Sequence, residues 1–205
     1  MASDHYFTGV PGTELKLRTV SVRLSGQDYE LTTSNGIFSP DRIDPGTQVL
    51  LANAPTPPQT GNLLDLGCGW GPISLTLALE APDAHVWAVD VNERALDLLR
   101  MNTEKLGLTN ITAAQPDQVP DDVRFQTIWS NPPIRVGKTE LHAMLERWLP
   151  RLEPGSDAWL VVQRNLGSDS LHRWLQETMG DDFEFTKETI SKGYRVLRAL
   201  RAETN

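Results

Sequence analysis

The sequence predicts an α/β fold in which a mainly parallel sheet carries helices on both faces. Short apolar runs alternate with stretches of helical periodicity from residue 62 to residue 200. This alternation is typical of parallel strands joined by crossover helices. Alternating apolar and polar residues before this region predict one hairpin, and a second hairpin is predicted at its end. The 205 residues are enough for one well-buried domain with a short extension.

Residues 1–54 are predicted to form an N-terminal extension with a β-hairpin and a short helix. Apolar and polar residues alternate over 18–24 and again over 29–33, with a turn signal at Ser25-Gly26 between them. The segment from Gly46 to Ala54 is predicted to be helical. Residues 55–61 contain three prolines and a glycine, so they are expected to form a linker loop before the main domain, 62–205.

The main domain is predicted from its apolar runs. Strands are expected at 63–66, 85–90, 111–114, 125–130 and 158–163, of which 111–114 is the weakest. Helical periodicity of apolar side chains is found at 73–79, 95–106, 141–152 and 171–175. The tail predicts a final hairpin, since Gly193 separates the runs 183–188 and 194–200.

Composition and charge exclude several classes of protein. No apolar run reaches the roughly 20 residues that span a bilayer, and the N-terminus lacks the pattern of a secretory signal. The single cysteine, Cys68, excludes an internal disulfide, so a cytoplasmic location is expected. The net charge of -8 argues against a non-specific nucleic-acid coat protein but allows a local basic patch. None of the four histidines has metal-ligand spacing, so no metal is expected.

A glycine-rich loop follows the first strand of the main domain. The segment Asp65-Leu66-Gly67-Cys68-Gly69-Trp70-Gly71 runs from an apolar strand into a helical pattern. Such glycines allow a tight turn and a close approach of the backbone to a ligand. The spacing matches neither the dinucleotide fingerprint nor a phosphate loop. The carboxylate of Asp65 suits a cationic ligand, such as a sulfonium or an α-amino group, better than a pyrophosphate.

Further residues near the ends of the strands extend this candidate site. Asp90 ends the next strand, about 20 residues after the glycines, where it can accept hydrogen bonds from a ribose diol. The alternative is a purely structural turn with Asp90 as a helix cap, although Asn92 is the better cap candidate. Val91 belongs to the same strand end. Asp117 either reaches an adenine amino group or remains a solvated loop acid. Cys68 is expected to be a small filler and not a nucleophile, since no base is near it in sequence.

A second motif, Asn131-Pro132-Pro133-Ile134, follows the fourth strand, where open α/β sheets bind ligands. The prolines remove two backbone donors and leave an acceptor-rich surface, the Asn131 side-chain oxygen and the Pro132 carbonyl. Two acceptors match the two hydrogens of a conjugated amino group and aim its lone pair at a methyl group. Ile134 offers an apolar contact without aromatic stacking. By itself the motif could also be a tight turn.

Together, the two motifs resemble the cofactor and acceptor motifs of class I S-adenosylmethionine-dependent methyltransferases that act on amino nitrogens. Three more segments, 36–47, 134–138 and 192–197, make the chain similar to the family of ribosomal RNA small-subunit methyltransferase C. The resemblance covers most of the chain and implies a seven-stranded Rossmann-like sheet that ends in an antiparallel hairpin. The chain is expected to be a single-domain form, because its 205 residues are too few for the second half of two-domain members.

The resemblance implies S-adenosylmethionine as cofactor, S-adenosylhomocysteine as product and no metal. The expected cofactor contacts are Asp65, Gly67, Cys68, Gly69, Gly71, Asp90, Val91, Asp117 and Asn131. The expected catalytic residues are Asn131, Pro132, Pro133 and Ile134. The expected substrate contacts are Phe38, Arg135, Lys138, Lys192 and Arg195.

Many relatives have an aromatic residue at the position of Ile134, and Phe38 could supply a ring face instead. Trp70 is a further candidate to flank the cofactor. The basic residues could bind RNA phosphates or be scattered surface charge.

The expected activity is N2-methylation of guanine in small-subunit (16S) ribosomal RNA. The expected partner is that RNA or the small subunit, and no contact with a membrane is expected. Methylation of adenine N6 or of a protein glutamine, or a silent cofactor-binding module, stays open. The sequence makes no prediction of oligomeric state.

Overall fold

The computed structural model of the chain describes residues 14–203, so residues 1–13 of the predicted extension and the last two residues lie outside the described part. Its strands are β1 (Leu17–Leu24), β2 (Gln27–Ser34), β3 (Asn62–Leu66), β4 (His85–Val89), β5 (Ile111–Ala114), β6 (Phe125–Ser130), β7 (Leu152–Gln163), β8 (Phe183–Ser191) and β9 (Tyr194–Arg201). Its helices are α1 (Pro45–Asn53), α2 (Pro72–Glu80), α3 (Glu93–Lys105), α4 (Lys138–Trp148) and α5 (Ser168–Met179).

Seven strands form one sheet in the order β5-β4-β3-β6-β7-β9-β8, and β1 pairs with β2 in a separate hairpin. Strands β3 to β7 are parallel, and β9 is antiparallel to both of its neighbours. Both predicted hairpins and the seven-stranded sheet are thus confirmed. The strand order reverses between β3 and β6, so the carboxyl ends of these two strands border the crevice in which such sheets bind ligands.

Helices cover both faces of the sheet, as the sequence predicts. On one face, α1 contributes Val49 and Leu50 to an apolar cluster with Trp159 and Val196, and α2 joins the same cluster. On the other face, the apolar sides of α4 and α5 pack against β6, β7 and β9. Among the described residues, no helix has the length and apolar character that crossing a membrane requires.

The N-terminal extension shares its core with the main domain. Leu24 and Leu31 of the β1–β2 hairpin lie in one apolar cluster with Leu75 of α2 and Leu96 of α3. Helix α1 packs on the sheet itself through β7 and β9. Residues 55–61 therefore form a connecting loop within one core, and the predicted limit at residue 54 does not separate two packed units.

Two predicted boundaries differ in the structure. The periodicity over 141–152 predicts a helix through Leu152, but α4 ends at Trp148 and a 3-10 turn spans Leu149–Arg151. Pro150 lacks the backbone N–H that a continued helix needs. Leu152 already belongs to β7, where it pairs with Phe125 of β6, so this strand begins earlier than the apolar run at 158–163 predicts.

Candidate active site

The glycine loop lies between the carboxyl ends of β3 and β4. Gly67, Gly69 and Gly71 have φ values of 78°, 54° and 104°, which other residues rarely adopt. The N–H groups of Gly67 and Cys68 donate to the carbonyl of Val89 at 2.8 and 3.0 Å. The loop is therefore fastened to the end of the neighbouring strand. Cys68 is buried, in agreement with the prediction of a small filler.

The three glycines differ in what surrounds them. A Cβ atom at Gly71 would lie 2.3 Å from Leu99 Cδ1, so this glycine makes room for α3 and begins α2. A Cβ atom at Gly67 would lie 3.8 Å from Pro133 Cδ, which places the acceptor motif beside the loop. Around Gly69, which is itself buried, no atom of residues 14–203 lies within 4 Å of such a Cβ atom. Gly67, which is partly exposed, and Gly69 thus leave space beside the loop, whereas Gly71 does not.

Asp65 is completely buried below this loop. Its Oδ2 accepts hydrogen bonds from the backbone N–H of Ser74, at 2.8 Å, and from the Ser74 hydroxyl. Its Oδ1 is buried with no hydrogen-bond partner in the described part of the chain. Burial raises the pKa of Asp65 to about 7 against the effect of the Ser74 hydrogen bonds, and the charge of Asp90 raises it slightly further. A positively charged group beside this carboxylate would favour its ionised form.

Asp90 holds the glycine loop in place and has further accepting capacity. One carboxylate oxygen accepts from the N–H of Gly69 at 2.8 Å, and the other accepts from the N–H of Asn92 at 2.9 Å. Burial raises the pKa of Asp90, while these backbone hydrogen bonds lower it. Since each oxygen can accept two hydrogen bonds, the carboxylate can still bind a diol. Val91 is 48% exposed next to it, and the side chain of Asn92 caps α3, as predicted.

The Asn131 amide is held by the segment that begins α1. Its Nδ2 donates to Asp44 Oδ2 at 2.8 Å and to Thr47 Oγ1 at 3.0 Å. Because an ionised carboxylate can only accept, the amide nitrogen must face Asp44, and Oδ1 lies on the other side of the amide. The Ser130 hydroxyl donates to the Leu66 carbonyl at 2.6 Å, which joins the ends of β6 and β3.

The two prolines and Ile134 form a tight turn. The Pro132 carbonyl accepts the Ile134 N–H at 2.8 Å across Pro133, whose φ of -74° and ψ of 73° are those of an inverse γ-turn. One of the two lone pairs of the predicted Pro132 acceptor is therefore already used. The side chain of Ile134 packs on the edge of the apolar core.

The loop that carries Phe38 lies along this crevice. The Trp70 indole N–H donates to the Ser39 carbonyl at 3.1 Å, and the Asn92 side chain donates to the Gly36 carbonyl at 3.2 Å. These bonds hold the loop to both the glycine loop and the start of α3, and they leave Phe38 44% exposed. Trp70 is almost fully buried and acts as a core residue under this loop.

The predicted basic contacts differ in exposure. Lys138 is exposed at the start of α4, and Lys192 is exposed in the β8–β9 turn. The N–H of Arg164, a further exposed basic residue, donates to the Gly193 carbonyl at 2.9 Å, so Arg164 and Lys192 are neighbours.

Three predicted contact residues remain, Arg195, Arg135 and Asp117. Arg195 is only 7% exposed and forms an ion pair with Asp169 of α5, so it joins β9 to α5 and is not placed to bind RNA phosphates. Arg135 lies in the 3-10 turn Ile134–Val136, and its side chain is outside the described part. Asp117 is exposed in the turn after β5.

Asp44 and Thr47 are the site residues that sequence reasoning missed. The segment Asp44-Pro45-Gly46-Thr47 contributes to the family resemblance, but its sequence predicts only the start of a helix. Its contact with Asn131 becomes visible only in the folded chain. No cluster of three or more metal-binding side chains occurs among residues 14–203.

Comparison with known proteins identifies relatives of this chain. The Bacillus subtilis protein YbxB, described as uncharacterised, is 35% identical over 202 residues, which cover 97% of this chain and 99% of that protein. Ribosomal RNA small subunit methyltransferase C of Shewanella pealeana is 37% identical over 131 residues, 62% of this chain but only 38% of that protein.

Among solved structures, the 16S rRNA N2 methyltransferase RsmC of T. thermophilus, in complex with AdoMet and guanosine, matches with a TM-score of 0.79 and 28% identity. The match covers 93% of this chain and 52% of that one, so the chain spans about half the length of this enzyme. The family model described as methyltransferase small domain matches residues 28–198. This chain therefore belongs to the methyltransferase small domain family.

Proposed function

We propose that this chain is an S-adenosylmethionine-dependent methyltransferase that methylates N2 of guanine in small-subunit ribosomal RNA. The observation that carries the proposal is the Asn131 amide, whose nitrogen is bound by Asp44 and Thr47 so that its oxygen remains for a substrate amino group. The likeness to RsmC, solved with AdoMet and guanosine, supports this choice of cofactor and base.

The crevice beside the glycine loop fits this cofactor. Gly67 and Gly69 leave space beside the loop, and the buried carboxylate of Asp65 lies below it, where its charge would attract a positively charged group of the ligand. Asp90 has accepting capacity left for the ribose hydroxyls, and the exposed Val91 offers an apolar surface to the adenine. The bound cofactor would supply an electrophilic methyl group on a positively charged sulfur.

The acceptor motif would prepare the amino group for attack. Asn131 Oδ1 and the remaining lone pair of the Pro132 carbonyl would accept its two hydrogens, which directs the nitrogen lone pair away from the base plane and toward the methyl group. Ile134, and Phe38 from the opposite loop, would contact the faces of the base. Asn131 and Pro132 would hold the amino group in place while its nitrogen takes the methyl group that the cofactor supplies, and the nitrogen would then lose one proton to solvent.

Exposed basic side chains near the crevice support a nucleic-acid substrate. Lys138, Arg164 and Lys192 would bind backbone phosphates and set the position of the RNA. The partner is then ribosomal RNA or the small ribosomal subunit, and we place the enzyme in the cytoplasm with it. The free thiol of Cys68 is compatible with that location.

The test is methyl transfer from labelled S-adenosylmethionine to fractions of a strain that lacks the gene. We expect label in small-subunit RNA and, after digestion, in N2-methylguanosine. Label in N6-methyladenosine or in protein glutamine would contradict the substrate but leave the enzyme class. Cofactor binding without transfer to any fraction would contradict the function.

Replacing Asn131 tests the acceptor motif directly. We expect Asn131→Ala to lower the transfer rate at least about a hundredfold, as for other lost oriented hydrogen-bond partners. Cofactor affinity should hardly change. Asn53→Ala, at the far end of α1, is the matched control and should keep native turnover. Native turnover of Asn131→Ala would contradict the role of the amide.

A further inference from the structure

We infer that Asp44 and Thr47 are positioning residues that set the orientation and the polarity of the Asn131 amide for methyl transfer. The inference rests on the proposed function, in which Asn131 binds the amino group of the substrate. Both residues belong to the start of α1, and they lie 87 and 84 positions before Asn131 in the chain.

The contacts use both hydrogens of the amide. One acceptor is Asp44 Oδ2 at 2.8 Å and the other is Thr47 Oγ1 at 3.0 Å. If the amide turned by half a rotation, its oxygen would face the Asp44 carboxylate and the hydrogen bond to it would be lost. The two partners therefore fix the amide with its oxygen available as an acceptor.

The charge of Asp44 also changes the amide electronically. A carboxylate bound to the amide N–H draws that proton, and the conjugated group responds with more negative charge on its oxygen. The oxygen then accepts the amino hydrogens of the substrate more strongly. This matters most in the transition state, because the nitrogen becomes more positive as the new C–N bond forms.

The position of Asp44 is determined by its surroundings. The same Oδ2 accepts the backbone N–H of Gly46 at 2.7 Å and of Thr47 at 3.3 Å, so Asp44 caps α1. A Cβ atom at Gly46 would lie 2.8 Å from Asp44 Oδ2 and 2.9 Å from Tyr194 Cε1. The absence of a side chain at Gly46 therefore lets Asp44 and Tyr194 lie close to the backbone at the start of α1. Helix α1 is in turn fixed on the sheet by its apolar face.

The test compares steady-state methyl transfer by variants of the full chain, with unmethylated 16S RNA transcript as substrate. Asp44→Asn keeps a helix cap and an acceptor oxygen but removes the charge. We expect it to lower kcat about tenfold or more, with unchanged affinity for S-adenosylmethionine by calorimetry and little change in KM. Thr47→Val should lower kcat less, and Thr47→Ser, which keeps the hydroxyl, should restore it. Asp41→Asn, an exposed acid three residues away that pairs with Arg18, is the control for a lost charge and should keep native kcat.

A double variant distinguishes positioning from an independent effect. If Asp44 acts through Asn131, Asp44→Asn adds no further loss of kcat to Asn131→Ala. Additive losses, native kcat of both Asp44→Asn and Thr47→Val, or loss of cofactor binding by Asp44→Asn would each overturn the inference while the proposed function stands. Native turnover of Asn131→Ala would contradict the proposed role of the amide and the inference with it. No transfer by the native chain to either the transcript or unmethylated small subunits would contradict the proposed function.

Discussion

The buried acid below the glycine loop predicts an unusual pH dependence of stability. Asp65 is fully buried, one of its oxygens has no hydrogen-bond partner among residues 14–203, and its pKa is raised to about 7 by burial. In the cofactor-free chain, Asp65→Asn keeps an oxygen that can accept from Ser74 and removes the titrating group. The variant therefore isolates the contribution of this one carboxyl.

The size of the effect follows from the difference between the two pKa values. In the unfolded chain Asp65 loses its proton near its ordinary pKa of 3.8, whereas the folded chain keeps it up to about 7. Between these values the folded state binds more protons, so the free energy of unfolding falls as the pH rises. A shift of this size corresponds to about 4 kcal/mol, lost progressively between about pH 4 and about pH 7.

Urea unfolding curves of the native chain and of Asp65→Asn, measured from about pH 5 to about pH 8, test this reasoning. The unpaired amide of the variant costs about 1–3 kcal/mol of stability at every pH. This constant cost does not affect how the difference in stability between the two chains changes with pH. We expect the native chain to lose stability relative to the variant as the pH rises. Asp121→Asn, at an exposed site, is the control for the loss of one carboxylate. A difference in stability between the native chain and Asp65→Asn that does not change with pH would refute the argument from burial.

The same loop leads to three more predictions. Between about pH 6 and about pH 8, the affinity for S-adenosylmethionine should rise more in the native chain than in Asp65→Asn, because the positive charge of the ligand favours the ionised form of Asp65. Equal rises in affinity, measured by calorimetry, would contradict this. Gly71→Ala should lower the free energy of unfolding by about 2–4 kcal/mol, because its Cβ would lie 2.3 Å from Leu99 Cδ1. The control is Gly26→Ala, because Gly26 has a φ of 80° but open space around it; its free energy of unfolding, measured by urea titration, should fall by only about 1 kcal/mol. Equal losses of stability in the two variants would contradict the steric argument. Asp90→Ala should weaken cofactor binding about tenfold or more, and unaltered affinity would exclude the ribose contact.

The sheet could be predicted from the sequence because its strands leave a local pattern. Fully buried parallel strands such as β3 and β4 are short apolar runs, and the glycine loop marks the turn between β3 and α2. The start of β7 does not have this pattern. Its residues 152–157 include Pro154 and Gly155, which are typical of turns, and their irregular pairing with β6 depends on tertiary contacts.

Part of the candidate site could be predicted because it also has a local sequence pattern. The glycine loop and the acceptor motif are each one continuous segment of the sequence. The partners of Asn131 were missed because Asp44 lies 87 positions away, and a cap sequence shows only that a helix begins. Arg195 shows the converse. It follows Lys192 in a basic segment that suggests an exposed surface, but Arg195 is buried and its guanidinium is bound by Asp169 of α5.

The packing of α1 has a consequence for the order in which the enzyme becomes active during synthesis. This helix leaves the ribosome before every strand of the main sheet, yet Val49 and Leu50 are buried in a cluster with residues of β7 and β9, and β9 is the last strand of the sheet to be made. Until β9 is in place, the helix that binds the Asn131 amide lacks part of its packing surface. Under the proposed function, the oriented Asn131 amide, and with it methyl transfer, would then depend on the addition of β9 to the sheet.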